Sequence, residues 1–289
     1  MLVKGSKILD LTETSNGIFG SFIDLLNISI KQNVKVEDLI EETVSGKNVS
    51  NLYDYDSLAT FPLVDGKPKL TSAIKPSEVW AAGVTYKRSV DARKVESNVQ
   101  DVYDRVYVSE RPEIFFKATS NRIVGFGDNI CLRSDSQNIV PEPELGLVLG
   151  ENAEIIGFII GNDVTCRDIE GENPLYLPQA KIFNNSCSLG PVLAMKSVLH
   201  NPYDLNMKCK ITRFGKIIYS DNSNTSRLKR TFEELVKFLA RDNRIIPGTV
   251  LLTGTSIVPP DYFSLEVDDI VEIEIEGLGK LVNKVGKGF

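Results

Sequence analysis

Histidine occurs once in the 289 residues, as His200 in SVLHNPYDLN, a polar, turn-like setting that follows an apolar run. That setting predicts a surface loop, which leaves Ser-His-Asp and Cys-His catalysis without a base. Acid-base chemistry must then come from carboxylates, lysines or a metal. The four cysteines, Cys131, Cys166, Cys187 and Cys209, show no CxxC spacing. This argues against zinc and against a disulfide framework, and predicts buried, reduced thiols. No apolar stretch reaches the roughly 18 residues of a membrane span, and the opening MLVKGSKILDLTE lacks the apolar core of a signal peptide. The expectation is a cytoplasmic protein with no membrane partner. Neither GxGxxG nor a P-loop pattern is present, so nucleotide cofactors have no support. Basic runs interleaved with aromatics are absent too, and 33 Lys+Arg against 39 Asp+Glu give a net charge of −6. Nucleic acid is therefore not expected as a partner, and a small anionic substrate would need a local positive centre.

What is present is an ordinary globular composition, 42% hydrophobic, enough for a sizeable core. Residues 1–75 mix short strand-like pieces with an amphipathic segment in which Ile18, Phe22, Leu25 and Leu26 share a helical face. The Pro- and Lys-rich DGKPKLTSAIKPSEVW marks the end of this small N-terminal domain, and a catalytic domain is expected over 76–289. Val95, Val99, Val102 and Val106 keep a helical period. A second apolar stripe, Leu228, Phe232, Leu235, Val236 and Leu239, predicts a helix with Thr225 or Ser226 as cap and Pro247-Gly248 beyond its end. Most of the remainder reads as short strands bounded by turns. In DDIVEIEIEGLGKLVNKV, Val271, Ile273 and Ile275 alternate with Glu272, Glu274 and Glu276. Helices do not alternate regularly with strands, so the expected class is β-rich α+β rather than doubly wound α/β.

The stretch VPEPELGLVLG carries two glutamates toward apolar sequence. Residues two apart on a strand point to the same side, about 7 Å apart, so Glu142 and Glu144 project together. Gly146 follows on that face and is expected to leave open space, while Leu145, Leu147 and Leu149 pack the other way. Pro141 and Pro143 fix φ and suit the start of a strand. A second apolar run, IIGFIIGND, ends at Asp163. The plainer readings are a solvated strand entry and a turn aspartate. Should the three carboxylates converge, repulsion of about 4 kcal/mol per pair at about 4 Å calls for a cation. All-oxygen ligands without histidine point to Mg²⁺, with Mn²⁺ or Ca²⁺ as substitutes.

RPEIFFKATSN, VPEPELGLVLG, GNDVTCRDIEGENPLYLPQAKIF, LGPV, LLTGT and DIVEIEIEGLGKLVNKV together resemble the fumarylacetoacetate hydrolase family, in order, over about residues 78–285. The resemblance implies a mixed β-roll catalytic domain after a small N-terminal domain, and a homodimer or dimer of dimers. It also implies a divalent metal held by Glu142, Glu144 and Asp163. VWAAGVTYKRSVDARKVES, the double-proline PEPEL and GENPLYLPQAKI resemble the 2-keto-3-deoxy-D-arabinonate dehydratase-like branch. Hydrolases of the family use a histidine after their GxNY motif, and GVTYKRSVDARK has none.

Lys181 matches the family's metal-site lysine, and Glu113 matches an acidic residue of the dehydratase-like branch. These two are the candidate catalytic residues. Lys117, on the same strand face as Glu113, is a candidate for substrate binding with Thr255, Tyr86 and Arg88, and Arg167 and Asp168 are expected to pair beneath the metal loop. The implied activity is Mg²⁺-dependent dehydration of a 2-keto-3-deoxy sugar acid, a small anionic 2-keto acid, with a five-carbon acid giving 2,5-dioxopentanoate. Lys181 or Glu113 would take the C3 proton. Alternatives are an acylpyruvate-type C–C hydrolase, a 2-keto acid decarboxylase or tautomerase, and a non-catalytic sugar-acid-binding protein.

Overall fold

The computed structural model describes residues 1–45, 52–96 and 100–287, the side chains of 92–96, 100 and 101 excepted. The chain divides into two compact units, Met1–Leu70 and Thr71–Phe289. In the first, strands Leu2–Lys4, Lys7–Leu9 and Leu52–Asp54 form an antiparallel sheet. Its core gathers Ile8, Leu11, Phe19, Leu25, Leu26, Val36, Leu39 and Leu58. The helix expected from Ile18 begins later, at Phe22, because the Ser21 hydroxyl accepts the Asp24 N–H and caps it there. Ile18 lies before that cap and is exposed.

The second unit is built on a seven-stranded sheet. Its strands run in the order Glu113–Thr119, Glu78–Gly83, Val250–Leu252, Pro143–Leu149, Ile155–Asp163, Cys187–Met195, Ile123–Val124. A five-stranded sheet follows the order Lys216–Asn224, Asn206–Arg213, Ile270–Ile275, Gly279–Gly286, Asn129–Cys131. Both sheets are mixed. Val250–Leu252 is parallel to Glu78–Gly83, and Lys284 to Gly286 are parallel to Asn129–Cys131, while the hairpin neighbours are antiparallel. The class is β-rich α+β. Along Ile270–Ile275 the alternation holds, with Val271, Ile273 and Ile275 buried. Among the described residues, no helix is long and apolar enough to cross a membrane.

Two helical readings shift. The stripe Phe232, Leu235, Val236 and Leu239 is buried in helix Phe232–Leu239, but its cap is Thr231, not Thr225 or Ser226. The Thr231 hydroxyl accepts the Glu234 N–H and caps the helix, while the Glu234 carboxylate accepts from Arg230, so Leu228 falls outside the helix. Thr225 and Ser226 open a separate short turn capped by Asn224. The valine period falls on helices Lys87–Glu96 and Gln100–Val108; Val99 lies outside the described residues, as does the Val95 side chain.

Strand Pro143–Leu149 is buried at every residue because it lies between Val250–Leu252 and Ile155–Asp163 with both faces covered. The open space expected at Gly146 is therefore absent: a Cβ there would meet Ile159 Cγ2 at 2.9 Å and Val250 and Leu252 at 3.2 Å. Gly146 serves close packing.

Candidate metal centre

One end of the seven-stranded sheet collects the chemistry. Glu142 and Glu144 stand at the start of Pro143–Leu149, and Asp163 at the finish of its antiparallel neighbour, with Glu144 opposite Gly161. The Asp163 N–H donates to Glu142 O at 3.0 Å, and the Glu142 N–H to Asn162 Oδ1 at 3.1 Å, so the two strand ends are locked together. Strand Val250–Leu252 delivers Gly254 and Thr255 to the same end. Glu78–Gly83, parallel to it, finishes there, and the antiparallel Glu113–Thr119 starts there.

Glu142, Glu144 and Asp163 are buried, and one oxygen from each lies within 4.8 Å of the others. Two ammonium groups are set against them. Lys181 Nζ, at the end of helix Leu177–Lys181, donates to Glu142 Oε2 at 2.7 Å, Asp163 Oδ2 at 3.1 Å and Thr165 Oγ1 at 2.8 Å. It lies 5.3 Å from the Phe115 ring centroid and 4.0 Å from Glu170 Oε1. Lys117 Nζ is 2.6 Å from Asp163 Oδ1 and donates to Val164 O and Lys181 O. With Glu113 and Glu170 also on the pocket, its carboxylates outnumber the two ammonium groups in a desolvated space. Burial, then the charges of Asp163 and Glu142, hold the Glu144 carboxyl well above the ordinary glutamate range, against the pull of Lys181 and of the Gly254 N–H, which donates to Glu144 Oε2 at 2.6 Å. A divalent cation fits this donor set: it would offset the excess negative charge and relieve Glu144, and hard oxygen ligands are what Mg²⁺ takes. The space at the triad is about 20 Å³, room for an ion or one water.

The remaining candidates separate. Glu113 lines the triad pocket, its carboxylate lying over Gly83, where a Cβ would come within 2.2 Å of Glu113 Oε2. Thr255 lines it as well, its hydroxyl accepting the Ile257 N–H at 3.2 Å. Lys117, expected at the substrate, is fully buried and spends its ammonium on Asp163 and two carbonyls. Tyr86 is buried beneath the pocket, where burial and the Glu144 charge push its hydroxyl pKa up. Arg88 turns away to Asp221 at 2.6 Å, a pairing that strand alternation in a distant hairpin gave no means to foresee. Arg167 and Asp168 are held by separate partners: Arg167 donates to Pro259 O, and Asp168 accepts from Ser136 Oγ and the Gln137 N–H. His200 is exposed, in a loop.

Sequence reasoning passed over Ser89, Thr165, Gly254 and Glu170. Ser89, Gly254 and Glu170 line the triad pocket, and Thr165 accepts from Lys181. Glu170 sits in the six-residue helix Arg167–Glu172, too short for a periodic signal. Its one sequence cue is its position seven residues after Asp163 in NDVTCRDIE.

Buried carboxylates at a sheet end, crossed by two buried lysines, define a protein with an oxygen-ligand centre for a divalent cation. The model for the fumarylacetoacetate (FAA) hydrolase C-terminal domain matches residues 78–286, and the chain belongs to the fumarylacetoacetate hydrolase family. It is 43% identical over 282 residues to the "Probable 2-keto-3-deoxyxylonate dehydratase" of Haloferax volcanii, covering 98% of this chain and 93% of that protein. With the 2-dehydro-3-deoxy-D-arabinonate dehydratase of Saccharolobus solfataricus it shares 44% identity over 250 residues, 84% of this chain and 83% of that one. The fold is similar to that of 2-keto-3-deoxy-D-arabinonate dehydratase complexed with magnesium and 2,5-dioxopentanoate, at TM-score 0.76 and 40% identity, over 87% of this chain and 88% of that one.

Proposed function

We propose that the chain is a Mg²⁺-dependent dehydratase that converts a five-carbon 2-keto-3-deoxy sugar acid to 2,5-dioxopentanoate and water. The observation that carries the reading is the meeting of the buried Glu142, Glu144 and Asp163 with Glu113 and Lys181 in one pocket, in a chain so similar to dehydratases of such acids. Glu142, Glu144 and Asp163 would hold the cation, which when bound would supply Lewis-acid polarisation of the 2-keto group and so acidify the C3–H bond.

The division of labour between Lys181 and Glu113 follows from hydrogen bonding. Lys181 directs its N–H groups at Glu142, Asp163 and Thr165, so it acts as a cation and donor to charge developing on the 2-keto oxygen. Glu113 takes the C3 proton and hands a proton to the departing C4 hydroxyl. Glu170, across the pocket, is a second carboxylate able to exchange protons with the chain of the substrate. The reading places the enzyme in the cytoplasm, in keeping with four free, buried cysteines, and as a homodimer.

Purified protein with Mg²⁺ and 2-keto-3-deoxypentonate is expected to release 2,5-dioxopentanoate, and chelation to stop it. Glu113→Gln should lower kcat by about 10² to 10⁴ with little change in Mg²⁺ affinity. Pyruvate as the sole product, or no turnover, overturns the reading.

A further inference from the structure

The space at the triad, about 20 Å³, holds an ion or about one water and leaves the greater part of a five-carbon chain to be placed beside it. Glu113 and Glu170 line that space and also line a second, larger cavity of about 360 Å³. The two carboxylates thus form a neck between the cation site and this larger cavity. An acid held by its 1-carboxylate and 2-keto oxygen at the triad passes its C3 and C4 atoms through this neck and its far end into the larger cavity.

The wall of that cavity is apolar where the chain would end. Val102 and Val106 stand one helical turn apart on Gln100–Val108, and Pro112 and Leu177 face the same space. The polar groups of the lining include Tyr103, Ser109 and Arg111; the Ser109 hydroxyl is shared between Val106 O and Arg111 O, and the Arg111 guanidinium lies 5.6 Å from the Phe238 ring centroid. A methyl group buries against Val102, Val106, Pro112 and Leu177, whereas a terminal CH₂OH gives up water there.

Resting on the dehydratase reading, we infer that this cavity is a subsite for the distal end of longer substrates, and that the enzyme dehydrates six-carbon 2-keto-3-deoxy acids, those ending in a methyl group before those ending in CH₂OH. The chemistry balances without a co-reactant. The C3–H and C4–O bonds break, water leaves, and a C3=C4 double bond forms. The protons on C5 and its hydroxyl then transfer to C3 and C4, leaving a ketone at C5, so a 2-keto-3,6-dideoxyhexonate gives 2,5-dioxohexanoate.

The test measures kcat/KM of the Mg²⁺-loaded enzyme for 2-keto-3-deoxypentonate, 2-keto-3-deoxyhexonate and 2-keto-3,6-dideoxyhexonate, in wild type and in Val102→Phe. The expected result is turnover of all three, a preference of about fivefold for the methyl-ended over the hydroxymethyl-ended six-carbon acid, and a loss of tenfold or more for both six-carbon acids in Val102→Phe. The five-carbon acid, which reaches the cavity with C5 alone, should lose at least threefold less than either six-carbon acid in that variant. Val106→Phe, from the same wall, serves if Val102→Phe does not fold. Turnover of the five-carbon acid alone overturns the subsite and leaves the dehydratase reading standing, as does an equal loss for all three acids in the variants. No turnover of any acid overturns both.

Discussion

At the scale of the residue, Glu144 is the group the pocket treats worst. Its ordinary pKa is 4.5, and burial beside Asp163 and Glu142 raises it well above that. Between the two values the metal-free native state holds a proton that the unfolded chain has released, so stability is present below the unfolded pKa and falls as pH rises through the folded one. The Tm of chelator-treated protein should therefore drop by a few degrees as pH rises above about 5, and Mg²⁺ should abolish the drop; Glu144→Gln should flatten the profile, and a steep profile in that variant would assign it to another group. Lys117 is a structural counter-charge, not a substrate contact. Lys117→Met leaves Asp163 buried without its partner and should cost about 3–5 kcal/mol in chelator, read by urea unfolding. A marginal cost with a raised KM would return Lys117 to the substrate. Strand periodicity set Glu142 and Glu144 on one side and Asp163 at a strand end, but the family motifs joined the three as ligands. Glu113 and Lys181 became visible only through family motifs, since nothing in their own spacing distinguishes them from surface charges. The pairing of Arg88 with Asp221 was not legible, because the two lie 133 positions apart, on elements with no sequence tie.

At the scale of the element, the site depends on strands that carry glycine where neighbours press closest. A Cβ on Gly161 would lie 2.4 Å from Leu252 Cδ2, and Gly146 meets the same leucine from the adjoining strand. Gly146→Ala should destabilise the protein by about 1–3 kcal/mol through overpacking, with reduced Mg²⁺ affinity because Pro143–Leu149 also carries Glu144. Denaturant midpoints and Mg²⁺ titration would show it; an unchanged midpoint would mean the strands shift freely. The β-rich class was legible from alternation and turn residues, but the hairpin turn at Phe214-Gly215, where both φ values are positive, lies inside what reads as a single run. Strand order was not, because Val250–Leu252 slots between Glu78–Gly83 and Pro143–Leu149 from over a hundred residues away. That insertion covers one edge of Pro143–Leu149 and brings the Val250 and Leu252 side chains against Gly146, a packing position rather than an opening.

At the scale of the whole molecule, the cysteines report on integrity. Burial raises the Cys166 thiol to about 11 and Cys187 to about 12, and pushes Cys131 and Cys209 upward too. At pH 8 none of the four should react with a disulfide reagent until denaturant is added, when all four should titrate together. Early reaction of one would reveal local opening. The parallel pairing of Lys284, Val285 and Gly286 with Asn129, Ile130 and Cys131 has a consequence of another kind. During synthesis Asn129–Cys131 waits as a bare edge for more than 150 residues of chain before its partner strand is made, whereas the first 70 residues have no such wait. Nascent chains stalled short of residue 284 are the forms most exposed to mispairing and to chaperones.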